Sequence, residues 1–337
     1  MKAALFEKPG SFTVVKKDLR RLQENEVLVR VEACGICGTD LHIVDGTSRS
    51  TPPVVLGHEY SGVVEDAGKV AGIVEGTRVA VDPNIPCGTC FYCRRGLVHL
   101  CAGLRALGVD IDGGMAEYCI VPQEQMYILP ARMSAETGAL IEPLSCAVHG
   151  IDKAGITLGD SVVILGGGTV GLFMLQLVKN AGAATTILVE PLEQKRGIAK
   201  TLGADVVLNP SEVDVVSAVL ERTGVGADVV IECVGRPVTM EMSLALARRG
   251  GVVEFFGVCP IGVTIPMEPN LVYFKELTIV GSYVNPYTFT RAASLLSAGR
   301  VKTDELMIQQ FPLDGVHEAF EALREGKTLK SIIRPGM

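Results

Sequence analysis

Four cysteines fall between residues 87 and 101: Cys87, Cys90, Cys93 and Cys101, in the pattern C-x2-C-x2-C-x7-C. Thiolates at such short spacing close a tetrahedral shell around zinc and leave no place for a substrate, so a zinc held there is structural. An iron–sulfur cluster is the rival occupant and the weaker one. Four thiolates on Zn2+ carry two excess negative charges, which Arg94 and Arg95 inside the loop are placed to offset. A second set is dispersed: Cys37 in Gly35-Ile36-Cys37-Gly38-Thr39-Asp40, and His58 and Glu59 directly after Gly57. One cysteine, one histidine and one carboxylate suit a catalytic zinc with three protein ligands and one open position. A lone histidine is more often a hydrogen-bonded core residue, so spacing alone does not single out His58. A third motif, Gly166-Gly167-Gly168-Thr169-Val170-Gly171, fits G-x-G-x-x-G, with Glu190 at the interval of a ribose-binding acid.

These motifs need particular elements around them. Ser161–Leu165 reads as an apolar strand, Thr169–Ala181 as a helix and Thr185–Glu190 as a second strand, so the glycines sit at a strand-to-helix turn. In that turn Gly166 permits the tight bend, Gly168 lets a pyrophosphate approach the backbone, and Gly171 lets the helix pack close. The helix N-terminus offers its free N–H groups to the phosphates. Glu190 accepts from ribose hydroxyls and repels a 2′-phosphate, which favours NAD over NADP; Lys195 and Arg196 nearby keep NADP open. Further strands are expected at Ala227–Cys233, Gly251–Gly257 and Leu277–Tyr283, with a helix over Val238–Arg249. This alternation predicts a doubly wound parallel sheet. The first 120 residues differ. Val27, Val29 and Val31 alternate with polar neighbours, and short β-rich runs are separated by turns such as Asp45-Gly46 and Asp112-Gly113. From Thr288 the tail reads as a helix, a strand over Leu306–Phe311 and a helix over Val316–Glu325.

The chain has 337 residues, enough for two domains, with 48% hydrophobic and 20% charged residues. Acidic residues exceed basic ones, 38 to 31, and no basic block breaks the excess; nucleic acid is not an expected partner. No secretory leader is expected at the start, because Lys2, Glu7 and Lys8 interrupt it. The uncharged stretch Val162–Val178 contains three consecutive glycines and reads as strand, turn and helix rather than a membrane span. A cytoplasmic location follows as the expectation, with the ten cysteines mostly reduced.

The chain resembles the zinc-dependent medium-chain dehydrogenase/reductase superfamily, in its sorbitol (polyol) dehydrogenase branch. The matching residues are Gly35–His42, Gly57-His58-Glu59, the four-cysteine lobe, Gly113–Tyr118, Ile141-Glu142-Pro143-Leu144, the glycine motif, and Ile231-Glu232-Cys233-Val234-Gly235. They run in the family's order over nearly the whole chain. The resemblance implies an α/β protein: a GroES-like catalytic domain, 1–148 and 286–337, and an inserted Rossmann NAD-binding domain, 149–285, with the active site in the cleft. It implies that Cys37, His58 and Glu59 hold the catalytic zinc, with Glu142 at or near the fourth position and Asp40 steadying His58. Zinc with Cys37 thiolate, neutral His58 and Glu59 sums to zero charge. Glu142 would make it negative, so Glu142 is expected to exchange with a water or substrate oxygen.

The activity so implied is hydride transfer from a secondary alcohol (a polyol, sugar alcohol or vicinal diol) to NAD, giving the ketone. Thr39, the nicotinamide ribose and His42 are expected to relay the alcohol proton to solvent. Val170, Lys195, Val234, Val258 and Tyr283 are expected around the cofactor. Where sorbitol dehydrogenases carry Arg-Tyr against the polyol, this chain has Val284-Asn285, and Ile43 replaces a pocket tyrosine. That weakens the case for sorbitol and keeps open a threonine or butanediol dehydrogenase on the same scaffold. An NAD-binding redox sensor is the non-enzyme alternative. A homo-oligomer, tetramer or dimer, is expected.

Overall fold

A computed structural model describes residues 1–337. The chain forms two compact units. The first comprises Met1–Pro143, Phe289–Ser297 and Met307–Met337; the second comprises Leu144–Thr288 and Ala298–Leu306. The border near residue 143 falls inside the helix Ile141–Ala154, a few residues before the expected one. Residues 298–306 go with the second unit because their backbone is tied to it. The Gln176 side chain donates to Lys302 O at 3.1 Å and accepts from Lys302 N at 2.7 Å, and Asn180 donates to Arg300 O at 2.9 Å.

In the first unit, the alternation at Val27, Val29 and Val31 becomes the strand Glu26–Gly35, with all three valines buried. It lies at the heart of a seven-stranded sheet. Running across that sheet are Met126–Ile128, Arg78–Val81, Glu59–Asp66, Glu26–Gly35, Lys330–Arg334 and Ile308–Pro312; Tyr118–Pro122 also pairs with Glu26–Gly35. Two strands near the C-terminus therefore complete a sheet begun near the N-terminus. A smaller sheet joins Ser11–Lys16, Lys2–Lys8 and Val54–Val55. Tyr60, Met115, Leu56 and Phe320 fill the core between these elements.

The second unit is a six-stranded parallel sheet. Its order is Val206–Leu208, Thr185–Val189, Ser161–Leu165, Ala227–Glu232, Ala247–Phe255, Thr278–Gly281. Chain order reverses direction between Ser161–Leu165 and Ala227–Glu232, and ligands of such sheets bind at that switch, beyond the carboxyl ends of the strands. One sequence expectation is corrected here. The helix expected over Val238–Arg249 runs only from Pro237 to Leu246, and Ala247–Phe255 is strand. Ala247 pairs with Ala227, and pairing with a buried strand overrides the helical preference of Ala-Arg-Arg. No helix of the chain is long and apolar enough to cross a membrane.

Candidate active site

Three strands of the first unit bring the dispersed residues together. Gly35 ends the strand Glu26–Gly35, and in the sheet it pairs with Glu59 on one side and Ile332 on the other. Cys37 follows Gly35 by two residues, and His58 precedes Glu59 by one. A Cβ on Gly35 would stand 2.3 Å from Glu59 Oε2, so only glycine leaves room for this carboxylate. Gly57, at φ +94°, then turns the chain so that His58 enters the same space. The outcome is one donor atom each from Cys37, His58 and Glu59, all within 4.8 Å of one another. His58 and Glu59 are buried and Cys37 is partly exposed. Sulfur, imidazole nitrogen and carboxylate oxygen are the donors zinc takes, and the three-donor set leaves a coordination position open.

Asp40 organises two of these donors. Its Oδ2 accepts from Cys37 N at 2.8 Å, and its Oδ1 faces His58 Nδ1 at 3.4 Å, which leaves Nε2 as the ring's metal donor. Burial pushes the His58 imidazole down, but the charges of Asp40 and Cys37 outweigh it and hold its pKa well above the ordinary histidine value in the metal-free site. Glu59 has a partner that sequence reading missed. The Lys330 ammonium donates to Glu59 Oε1 at 2.9 Å, to Oε2 at 2.6 Å and to Ile36 O at 3.0 Å. Lys330 is 4% exposed. Burial works against its charge, yet Glu59, Cys37 and Glu142 raise its pKa above the ordinary lysine value. The charge sum made from the sequence therefore lacked one positive charge. With it, a site holding zinc and Glu142 together sums to zero rather than minus one. No local pattern pointed to Lys330, which lies 271 residues from Glu59 and meets it through the sheet.

Glu142 is buried in the first turn of the helix Ile141–Ala154 and is not one of the three clustered donors. Thr39 and His42 lie on the short helix Gly38–Val44 that Cys37 caps; Thr39 is exposed and His42 partly so. His42 Nδ1 contacts Thr47 Oγ1 at 3.1 Å, and Thr47 Oγ1 donates to His42 O. With its proton on that carbonyl, Thr47 accepts from Nδ1–H, and Nε2 carries the basic lone pair.

The lobe is built differently. Cys87, Cys90, Cys93 and Cys101 gather within the same 4.8 Å limit, in a segment of two short 3-10 turns. Backbone N–H groups of Thr89 and Cys90 lower the Cys87 thiol to about 6, and those of Cys93, Ala102 and Tyr92 lower Cys90. Cys93 is pushed up to about 12 by desolvation and by the neighbouring Cys90 and Cys101 sulfurs. Arg95 stacks over the Phe91 ring at 4.1 Å.

In the second unit the glycine motif forms the turn expected of it. Gly166 has φ +102°, and a Cβ on Gly171 would come 1.9 Å from Gly166 O. Gly168 caps the helix Thr169–Ala181, and nothing lies within 4 Å of where its Cβ would be. Glu190 is 5% exposed; it accepts from Gly167 N at 2.8 Å and Leu192 N at 2.9 Å, which seats the acid directly under the turn. Arg196 donates to Glu190 O and Pro191 O, while Lys195 is partly exposed on the helix Glu193–Thr201. Thr169 is buried and Val170 half-buried. Val234, Val258 and Tyr283 are exposed at or beyond the carboxyl ends of their strands. A Cβ on Gly166 would meet the Val234 side chain at 2.8 Å and one on Gly235 would meet Val258 O at 2.5 Å, so these loops adjoin the turn.

Glu232, read from the sequence only as part of the motif Ile231–Gly235, has a defined task. Its carboxylate accepts from Val234 N, Gly235 N and Thr239 Oγ1 and thereby shapes the loop carrying Val234. An acid shortly before Val-Gly was the available signal. Of the substrate positions, Ile43 is buried and Asn285 is 2% exposed, its amide donating to Ser145 Oγ at 2.8 Å. Val284 takes φ +47°, a strained conformation for a β-branched residue.

Comparison with known proteins agrees with this picture. Residues 23–131 match the family described as alcohol dehydrogenase GroES-like domain, and residues 169–298 match the family described as zinc-binding dehydrogenase. The chain is 39% identical to an L-threonine 3-dehydrogenase of Pyrococcus horikoshii, covering 98% of both chains. It is 32% identical to D-arabinitol dehydrogenase 1 of Uromyces fabae, covering 99% of this chain and 97% of that protein. A zinc-binding dehydrogenase of Sinorhizobium meliloti 1021, solved bound to NADP, superposes with a TM-score of 0.95 at 42% identity, covering 99% of each chain.

Proposed function

This chain belongs to the zinc-dependent medium-chain dehydrogenase/reductase family and is an oxidoreductase acting on a CH–OH group, and from that premise we propose that Cys37, His58 and Glu59 are its catalytic zinc ligands, that Cys87, Cys90, Cys93 and Cys101 hold its structural zinc, and that its substrate is a small secondary alcohol with a polar group on the adjacent carbon. The observation that carries this reading is the Cys37–His58–Glu59 donor set, its histidine and carboxylate buried, steadied by Asp40 and one donor short of zinc's usual four. When bound, zinc supplies Lewis acidity toward the alcohol oxygen and NAD supplies the hydride acceptor.

The chain's own residues do the rest. Asp40 fixes the His58 tautomer, so Nε2 faces the metal side. Thr39 takes the alcohol proton on its hydroxyl and hands it on, and His42 receives it at Nε2, because Thr47 engages Nδ1. Glu142, whose charge acts on Lys330, would stand at the fourth position and yield it to the alcohol oxygen, because with Lys330 counted the site sums to zero with either one bound and to minus one with both. Gly166, Gly168, Thr169, Val170 and Gly171 take the pyrophosphate, Glu190 the adenosine ribose with Lys195 beside it, and Val234, Val258 and Tyr283 the nicotinamide end. Glu190 favours NAD, while Lys195 and Arg196 keep NADP open, the cofactor held by the S. meliloti neighbour. Glu190→Ala should raise the KM for NAD about tenfold and change that for NADP far less. Steady-state kinetics with both cofactors check this, and equal effects would remove the ribose assignment.

Polyols and vicinal diols fit the substrate description. The loss of Arg-Tyr to Val284-Asn285, with the Asn285 amide spent on Ser145, reduces the polar grip on a long polyol and leaves a short diol and L-threonine fitting equally well. The P. horikoshii relative named for L-threonine supports the latter. A panel of polyols, 2,3-butanediol and L-threonine, each with NAD and NADP, separates them by kcat/KM. Absence of turnover on every member would overturn the substrate class. The reading also carries a cytoplasmic, reducing setting for the ten cysteines and assembly into a homo-oligomer. Tyr273 and Phe274, exposed on the helix leading to the edge strand Thr278–Gly281, supply apolar surface for a second copy to cover.

A further inference from the structure

Lys330 is the most fully committed buried cation in the first unit. Its three ammonium contacts reach both oxygens of Glu59 and the carbonyl of Ile36, the residue before Cys37. One side chain thus holds the two segments that carry the metal donors. Stability does not explain it, because a buried ion pair is commonly matched or bettered by apolar residues of similar volume. Its position is informative for another reason. Glu59 lies within 4.8 Å of the Cys37 and His58 donor atoms, so a metal at that cluster must draw on a carboxylate whose two oxygens already serve an ammonium.

We propose that Lys330 is a positioning residue for the catalytic metal: it keeps Glu59 and the Cys37 segment in place, and it competes with the metal for the Glu59 carboxylate, holding the site's affinity down. Two effects act in the same direction. The ammonium stabilises the metal-free site by neutralising a buried carboxylate, and it repels the dication in the loaded site. Removing its charge therefore tightens metal binding. A residue serving only as structural support predicts the opposite sign, since its loss would disorder the donors and release the metal. The inference rests on the reading of Glu59 as a ligand.

The test is chelator competition on the holoenzyme, following the release of both zinc ions by metal analysis, with the four-cysteine lobe as internal control. Lys330→Met should bind the zinc at Cys37–His58 about tenfold more tightly than the parent protein. Lys330→Arg should stay within about twofold of it, and the lobe should be unchanged in both. In thermal melts, metal-free Lys330→Met should unfold at a lower temperature and gain more from added zinc than the parent protein does. Unchanged or weaker binding in Lys330→Met overturns the proposal. So does failure of both Lys330→Met and Lys330→Gln to fold even with zinc supplied, which would leave Lys330 a structural residue. Folding that becomes dependent on zinc supports the proposal. Glu59→Ala separates the two claims. If it binds zinc as tightly as the parent protein, Glu59 is not a ligand and the underlying reading fails. If it loses zinc while Lys330→Met does not gain affinity, the competition alone fails.

Discussion

The lobe at residues 87–101 and the cluster of Cys37, His58 and Glu59 lie in one folding unit and offer the same number of donors or nearly so. They are held by different forces. In the lobe, the donors come from one short segment, and backbone N–H groups prepare the sulfurs: two amides lower Cys87, three lower Cys90, and Cys87 N donates to Cys101 Sγ at 3.2 Å. In the cluster, charged side chains prepare the donors. Asp40 takes Cys37 N and faces His58, and Lys330 takes Glu59. A shell set by the backbone is rigid and closed, which suits a structural ion. A shell set by buried side-chain charges can be shifted in affinity and charge by one substitution, which suits an ion that must accept and release a substrate oxygen.

The sharpest way to break this contrast is to remove one thiol from each region and compare the losses. Cys37→Ser should cost on the order of 10³ in kcat/KM and one zinc per chain, while leaving the lobe zinc in place. Steady-state kinetics with metal analysis check both halves. An active enzyme lacking Cys37 would end the catalytic assignment. The next largest effect lies one step out from the metal. Asp40→Asn keeps the shape but removes the charge that faces His58 and the strong acceptor for Cys37 N. The cluster should lose about 10- to 100-fold in zinc affinity with the lobe unaffected, as measured by chelator competition. If Asp40→Asn binds zinc normally, side-chain charge is not what prepares this site.

The same contrast explains how much could be read from the sequence. C-x2-C-x2-C-x7-C is legible because the chain's own turns bring its cysteines together within fifteen residues. The glycine motif is legible for a similar reason: strand, turn and helix follow one another, and Ser161–Leu165 and Thr169–Ala181 stand in the structure with the bounds read from the sequence. Cys37, His58 and Glu59 were recognisable through the family pattern, not through spacing, because strand pairing of Gly35 with Glu59 joins them. Lys330 was not legible at all. A lysine in Leu329-Lys330-Ser331-Ile332 reads as an ordinary strand residue until the strand is placed beside Gly35. The helix expected through Arg249 failed for the same reason, since its last residues answer to a partner strand at Ala227 rather than to local preference.

Two smaller effects are expected in the lobe. Cys90→Ser should release the lobe zinc, keep the cluster zinc and leave kcat within about twofold, while the thermal midpoint falls by about 5 °C. A large loss of kcat in a chain that still holds the cluster zinc would show that the lobe does more than brace the fold. The least disruptive test changes no residue. In zinc-stripped protein the backbone amides around Cys87 should keep its sulfur as thiolate at neutral pH, whereas Cys93 stays a thiol because desolvation and neighbouring sulfurs oppose its charge. A thiol whose pKa is lowered on folding stands as the nucleophilic thiolate above that pKa. Cys87 should therefore be alkylated by iodoacetamide with a half-maximal rate near pH 6, well before Cys93, and unfolding in denaturant should erase the difference. Peptide mass spectrometry across pH 5 to 9 resolves the two sites. Equal rates in the folded, metal-free protein would mean that the lobe's amides do not prepare its sulfurs, and the distinction between a shell set by backbone and one set by side-chain charge would lose its first half.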